Sequence, residues 1–172
     1  MENVLVLQSS DVNIMLNTDT DIYPKHIVCP ENFTAGYFGR TRCFKYFSEN
    51  MPFEGTRTNC IAWNSFLFEP FSSEEFKSVV AAVEMPASVK LLWLGFMSNG
   101  QEEYFGLHSK KELPNTFWHP SEPSSILQLC VYGFLPLFTV GDGDCNNAVP
   151  HICEKEVASF QGISSSGNIV VL

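Results

Sequence analysis

Six cysteines constrain this chain more than any other feature. They stand at Cys29, Cys43, Cys60, Cys130, Cys145 and Cys153. None forms a C-x-x-C pair, so zinc ribbons and thioredoxin-type chemistry lack their spacing. The four histidines (His26, His108, His119 and His151) fall at no ligand spacing either. An even number of dispersed cysteines reads as three disulfides made in an oxidising compartment. Six cysteines allow fifteen pairings, and counting does not choose among them. Asn32-Phe33-Thr34 is a glycosylation sequon, which agrees with a secretory route.

The rest of the composition says what these crosslinks hold. The chain has 172 residues, enough for one domain with a real core. It is 45% hydrophobic, 13% aromatic and only 17% charged, the balance of a packed globular domain. Fifteen phenylalanines point to an aromatic core. A net charge of −9 argues against nucleic acid and anionic membrane surfaces as partners. No apolar window reaches the length of a membrane span, and the longest, from Ser78 to Phe96, is broken by Glu84, Pro86 and Lys90. Glu2 stands where a signal peptide would be basic, and Val4 to Leu7 is too short for its apolar region. The expectation is a secreted or extracellular chain whose start lies upstream, or a piece of a larger protein. An intracellular chain with reduced cysteines is the remaining option.

Residues 1–28 read as an N-terminal extension or linker, 29–155 as the domain and 156–172 as a flexible tail containing Gly162-Ile163-Ser164-Ser165-Ser166-Gly167-Asn168. Two helices are predicted inside the domain. Ser72 and Glu75 make a capping box, and Phe76, Val79, Val80 and Val83 form one apolar stripe that Pro86 ends. The second runs from Pro52, placed at the first helical position, to Cys60, with Phe53 and Thr56 or Arg57 on the Cys60 face. Gly55 weakens that helix by about 1 kcal/mol relative to alanine. Strand-like runs are 42–47, 90–96, 103–108, 127–134 and 151–155. The fold class is α+β. An irregular region from about Met97 to Gln128, with Pro114, Pro120 and Pro123, has the length of a functional loop.

Cys29-Pro30, Cys43-Phe44, Phe53-x-x-Thr56-x-x-x-Cys60, Trp93-Leu94-Gly95-Phe96, Trp118 ahead of Glu122-Pro123, Cys130-Val131, Cys145 and Ile152-Cys153-Glu154-Lys155 occur in one order. In that order the chain resembles the C-type lectin-like domain family, in its long form with an extra N-terminal cysteine pair. The family has Trp and Ala where this chain has Phe53 and Thr56. The resemblance covers 29–155 and implies two helices packed on small antiparallel sheets with a long loop region. It also implies the pairing Cys29 with Cys43, Cys60 with Cys153 and Cys130 with Cys145. The long Cys60–Cys153 loop would contribute about 4.7 kcal/mol in the chain-entropy model, and each short loop about 3 kcal/mol.

Sugar-binding relatives hold one calcium ion between protein and sugar, and the resemblance carries that site to Glu122, Ser124, Gln128 and Asp142. Of the family's five side-chain ligands only Glu122 and Asp142 remain. Ser124 is shorter than the usual Asn, Gln128 is neutral, and Gly141 offers no side chain. Ser125 and Leu129 stand where an auxiliary calcium site would need acids. Calcium needs six to eight oxygens, so the loss of two ligands and a charge weakens such a site severely. Pro123 is therefore expected trans, since the ion that rewards its cis form is doubtful. The other acidic motif, Asp142-x-Asp144-x-Asn146, is no EF-hand: Asn147 takes the place of its glycine and Cys153 of its glutamate. It reads as a polar turn before the last strand.

Trp93 and Phe96 are expected in the core and Trp118 beneath the loop. Pro136-Leu137-Phe138 is an apolar tip that either meets a protein or packs inward. His119 lies near Glu122, but no nucleophile or orienting group accompanies it, so no enzyme is expected. The function implied is recognition with no cofactor, calcium being the one ion the resemblance would bring. The ligand is a glycan at a degenerate calcium site, or a cell-surface or secreted protein bound without calcium.

Overall fold

The computed structural model describes residues 29–30, 32–37 and 41–157, and the strand backbones at 6–9, 12–15, 160–163 and 169–171. The chain divides into two compact units, Met1–Cys43 with Glu156–Leu172, and Phe44–Lys155. In the first unit β1 (Val6–Ser9) pairs antiparallel with β2 (Val12–Met15), and β3 is Thr34–Tyr37. The segments read as extension and tail thus carry strands. Cys29 bonds Cys43 here, so the domain start expected at Cys29 falls inside this unit. The exposed Asn32 has φ 67° in a turn closed by Phe33 N–H on the Pro30 carbonyl, 2.9 Å.

The second unit carries β4 (Thr41–Met51, from Phe44 on), α1 (Phe53–Ala62), β5 (Phe66–Leu67), α2 (Ser73–Ala82), β6 (Leu91–Ser98), β7 (Tyr104–Gly106), β8 (Cys130–Phe134), β9 (Thr139–Gly143) and β10 (Val149–Glu156). The strand order is β4-β10-β6-β8-β9, with β5 on β10 and β7 on β6. β6 and β10 run parallel, so the sheet is mixed, while β5 on β10, β7 and β8 on β6 and β9 on β8 pair antiparallel. β11 (Phe160–Ile163) and β12 (Ile169–Val171) form an antiparallel hairpin in the first unit.

Local chemistry explains α2. The Ser72 hydroxyl accepts from Glu75 N–H at 3.1 Å, and the Glu75 carboxylate accepts from Phe71 N–H at 2.8 Å. Two otherwise orphaned donors are satisfied, as in a capping box. Phe76 and Val79 are fully buried. Phe76 meets Phe68, Phe117 and Phe138 edge-on, at 6.1, 6.3 and 5.6 Å. A Cβ at Gly133 on β8 would collide with the Phe76 ring, so glycine is required for this helix to close on the sheet. In α1, Pro52 is the N-cap residue, one place ahead of the first helical residue. The buried Thr56 satisfies its hydroxyl on the Phe53 carbonyl at 2.7 Å, which is how a polar residue fits the family's alanine position.

Trp93 centres the core, 0% exposed. It stacks on Tyr132 at 4.6 Å, meets Phe53 edge-on at 5.4 Å and donates its indole N–H to Met51 at 3.0 Å. Cys60–Cys153 ties α1 to β10, and Cys130–Cys145 closes the base of β8 and β9. All three disulfides are those the resemblance implies. The region expected to be irregular carries β7 and a 3-10 turn at Asn115–Phe117, anchored by buried Tyr104, Leu113 and Phe117. Its first turn is held by the buried Glu69 carboxylate, which accepts from His108 N–H at 2.6 Å and Ser109 N–H at 3.1 Å. No helix among the described residues is long and apolar enough to cross a membrane.

Candidate functional site

The β8–β9 hairpin sets Asp142 opposite Val131. The preceding chain is laid against β9 by backbone bonds. Trp118 bridges Val140, His119 N–H reaches the Val140 carbonyl at 2.8 Å, and Glu122 N–H closes on His119 at 2.9 Å. Glu122, Ser124, Gln128 and Asp142 are thereby brought to one place. The Glu122–Pro123 bond is cis, contrary to the trans expectation.

Asp142 is only 4% exposed, and both of its oxygens are occupied. Oδ1 accepts from Ser124 N–H at 2.6 Å and faces the Ser124 hydroxyl at 3.3 Å. Oδ2 accepts from Ser125 N–H at 3.0 Å. Ser124 Oγ also reaches Gln128 Oε1 at 3.2 Å. The Glu122 carboxyl hydrogen-bonds the Asp142 carboxyl, and its Oε2 is buried without a partner. A Cβ at Gly141 would collide with the Phe134 ring and stand 3.2 Å from the Glu122 carboxyl carbon, so the missing side chain is what lets Glu122 close in.

The charges divide between the two acids. Burial, then the hydrogen bond and charge of Asp142, push Glu122 above the usual carboxylate range. Burial also pushes Asp142 upward, but the Glu122 hydrogen bond and the Ser124 and Ser125 amides outweigh it, and Asp142 is lowered. A carboxyl pair in contact ionises one member readily and the other reluctantly. Tyr104 completes the acidic surroundings. Burial, then Asp142, Glu102 and Glu122, push its hydroxyl up to about 12, while it donates to the Gln128 carbonyl at 3.1 Å.

The resemblance named the four side chains and did not point to the two amides or to Tyr104. Every residue carries an amide, so nothing in the sequence marked Ser124 and Ser125 as donors. Trp118 is half-buried, edge-on to Tyr104 at 4.8 Å. Asp144 and Asn146 stand apart from the site in a turn, where Asp144 accepts from Asn146 N–H at 2.9 Å. His119 faces the Pro120 carbonyl at 2.9 Å and leans on Phe134, so it is not set up against Glu122 as an acid–base pair. Ile126 and Leu127, on the site's own loop, are 61% and 84% exposed. At the apolar tip Leu137 is exposed, while Phe138 packs on Phe76.

No protein-family model matches the chain. It is 24% identical over 123 residues to the C-type mannose receptor 2 of Mus musculus, covering 70% of this chain and 8% of that receptor's length. Among solved structures it is similar to the C-type lectin domain of murine dendritic cell inhibitory receptor 2 in complex with N-glycan, at TM-score 0.63 and 16% identity over 75% of this chain and 99% of that one. It is equally similar to a calcium-independent type II antifreeze protein, at TM-score 0.61 and 20% identity over 77% and 98% of the two chains. The fold is the C-type lectin-like fold.

Proposed function

We propose that this C-type lectin-like domain is a calcium-independent recognition module for a protein surface outside the cell. The observation that carries the reading is Asp142. Three donors, the Ser124 N–H and hydroxyl on Oδ1 and the Ser125 N–H on Oδ2, take most of the four lone-pair sites of Asp142, which leaves little for an ion that needs six to eight oxygens. Glu122 is turned onto Asp142, and the Ser124 hydroxyl faces Asp142 and Gln128. These residues do not fit calcium. The exposed Ile126 and Leu127 on the same loop suit a protein contact better than a sugar's hydroxyls. The similar antifreeze protein, described as calcium-independent, is a precedent for the fold working without the ion. Three disulfides and an exposed Asn32 sequon support a secretory route, with Asn32 glycosylated.

A glycan is the second reading. It is favoured by the surviving Glu122-Pro123 and Asp142 and by the N-glycan bound to the murine receptor domain.

Thermal unfolding of the oxidised chain in about 10 mM CaCl2 and in EDTA separates the two. The expected result is one Tm in both. A site binding near 0.1 mM would add roughly 2.7 kcal/mol, a rise of roughly 5–10 °C, and would overturn the reading. Glycan binding abolished by EDTA and by Asp142→Ala would select the sugar. A protein complex indifferent to EDTA supports the proposal.

A further inference from the structure

A cleft separate from the loop site opens on the sheet beyond the end of α2. Phe44 of β4 meets Phe68 edge-on at 5.3 Å, and Phe68 meets Phe76 of α2, so this face of β4 is turned to the helix layer. Successive strand residues alternate faces, so Tyr46, Ser48 and Asn50 follow Phe44 on the same face. α2 stops at Ala82, and the chain returns to the sheet past Ser88 and Lys90. The two segments line an open cleft of about 330 Å³, with Leu91, Val149 and Pro150 also in its walls. Small-molecule sites run from about 300 to 1,000 Å³. Among the described residues, the side chains of Tyr46, Ser48, Asn50 and Ser88 hydrogen-bond no other group, so all four are free to meet a ligand. Burial pushes the Tyr46 hydroxyl up, which keeps it a donor. Lys90 gives one ammonium hydrogen to the Ala87 carbonyl at 3.1 Å and keeps two. The chain carries 19 acids against 10 lysines and arginines, yet no acid lines this cleft and Lys90 is its one charge.

We propose that this cleft binds a small organic carboxylate with an apolar body. One ammonium matches one negative charge, and the hydroxyl and amide donors around it suit the two oxygens of a carboxylate. A phosphate dianion would be left under-compensated by a single lysine, and no arginine in the lining offers its planar fork. A cationic ligand would meet no opposite charge at all. Leu91, Val149 and Pro150 give the body of the acid an apolar wall, and covering that wall adds to the affinity. Water reaches the open cleft and screens the ion pair, so binding is expected in the millimolar range. The lining lies wholly within the second unit and shares no residue with the loop site, so the two readings fail separately.

The test titrates the whole oxidised chain with benzoate and, separately, with benzamide, its neutral counterpart of the same shape. Both titrations are held at one ionic strength and followed at the backbone amides by NMR. Benzoate is expected to shift the amides of Ser48, Asn50 and Ser88 to saturation, and benzamide to bind at least about threefold more weakly. Lys90→Met keeps the methylene stem at an exposed position, and its Tm checks its fold. This variant is expected to lose at least about threefold in benzoate affinity and to leave benzamide unchanged. Benzoate shifts that never saturate, or that map to other residues, overturn the proposal. Equal affinity for benzoate and benzamide, or for the parent and Lys90→Met, overturns it as well, because the cleft would then not select a charge.

Discussion

Asp142 and His151 are both buried, and burial has opposite consequences for them. Asp142 is 4% exposed, yet its carboxyl lies below its ordinary range, because Glu122 and two amides outweigh the desolvation. His151 is 0% exposed and has no charged partner to offset its burial, so its charged form is driven out. What decides whether an interior position keeps a charge is the set of hydrogen bonds turned toward it, not its depth alone. The loop holds a carboxyl pair in which hydrogen bonds keep the charge on Asp142. The core holds a neutral ring with a nitrogen to spare.

The largest expected effect breaks the comparison at its crosslinks. Cys60→Ala with Cys153→Ala should cost about 4.7 kcal/mol in the chain-entropy model, against about 3 kcal/mol for Cys130→Ala with Cys145→Ala. Denaturant unfolding of both double variants checks the order, and equal losses would mean that loop length does not set the contribution.

Acid should then separate the two regions. His151 titrates at 6.5 when unfolded and at about 4 when folded, so the unfolded chain binds its proton first as pH falls. Stability from this residue is present above about pH 6.5 and is lost on acidification toward pH 4, by up to about 3 kcal/mol. His151→Phe should remove that loss. An unchanged acid limb in the variant would show that the ring is not held neutral.

The smallest effect sharpens the loop side and has the opposite sign. Glu122 is raised, so the folded state holds its proton above the unfolded pKa. Its share of stability is greatest at acid pH and falls as pH rises through the folded pKa. Glu122→Gln imitates the protonated form. Its Tm should exceed that of the parent at pH 7 and match it at pH 4; a lower Tm at pH 7 would mean that the ionised carboxylate is the stabilising form.

Much of the scaffold was legible because its signals are local. Ser72 and Glu75 cap α2 through bonds three and four residues long, and Phe76 and Val79 repeat at the helical period. Trp93 and Phe96 lie in a strand-like run and are fully buried. The disulfide pairing was legible only through the resemblance, since spacing alone left fifteen choices. His151 meets Cys60 only when α1 packs on β10, so nothing along the chain marked the two as neighbours.

By itself, the sequence determined the helices and the core aromatics, since residue type and near-neighbour spacing carry those, while the four side chains of the loop cluster were named only through the resemblance. Only the tertiary structure decided that Asp142 would be closed by the Ser124 and Ser125 amides and that His151 would keep a free nitrogen in the core. Backbone amides are the same at every residue, and which groups they meet depends on strand register and on contacts between residues far apart in the chain.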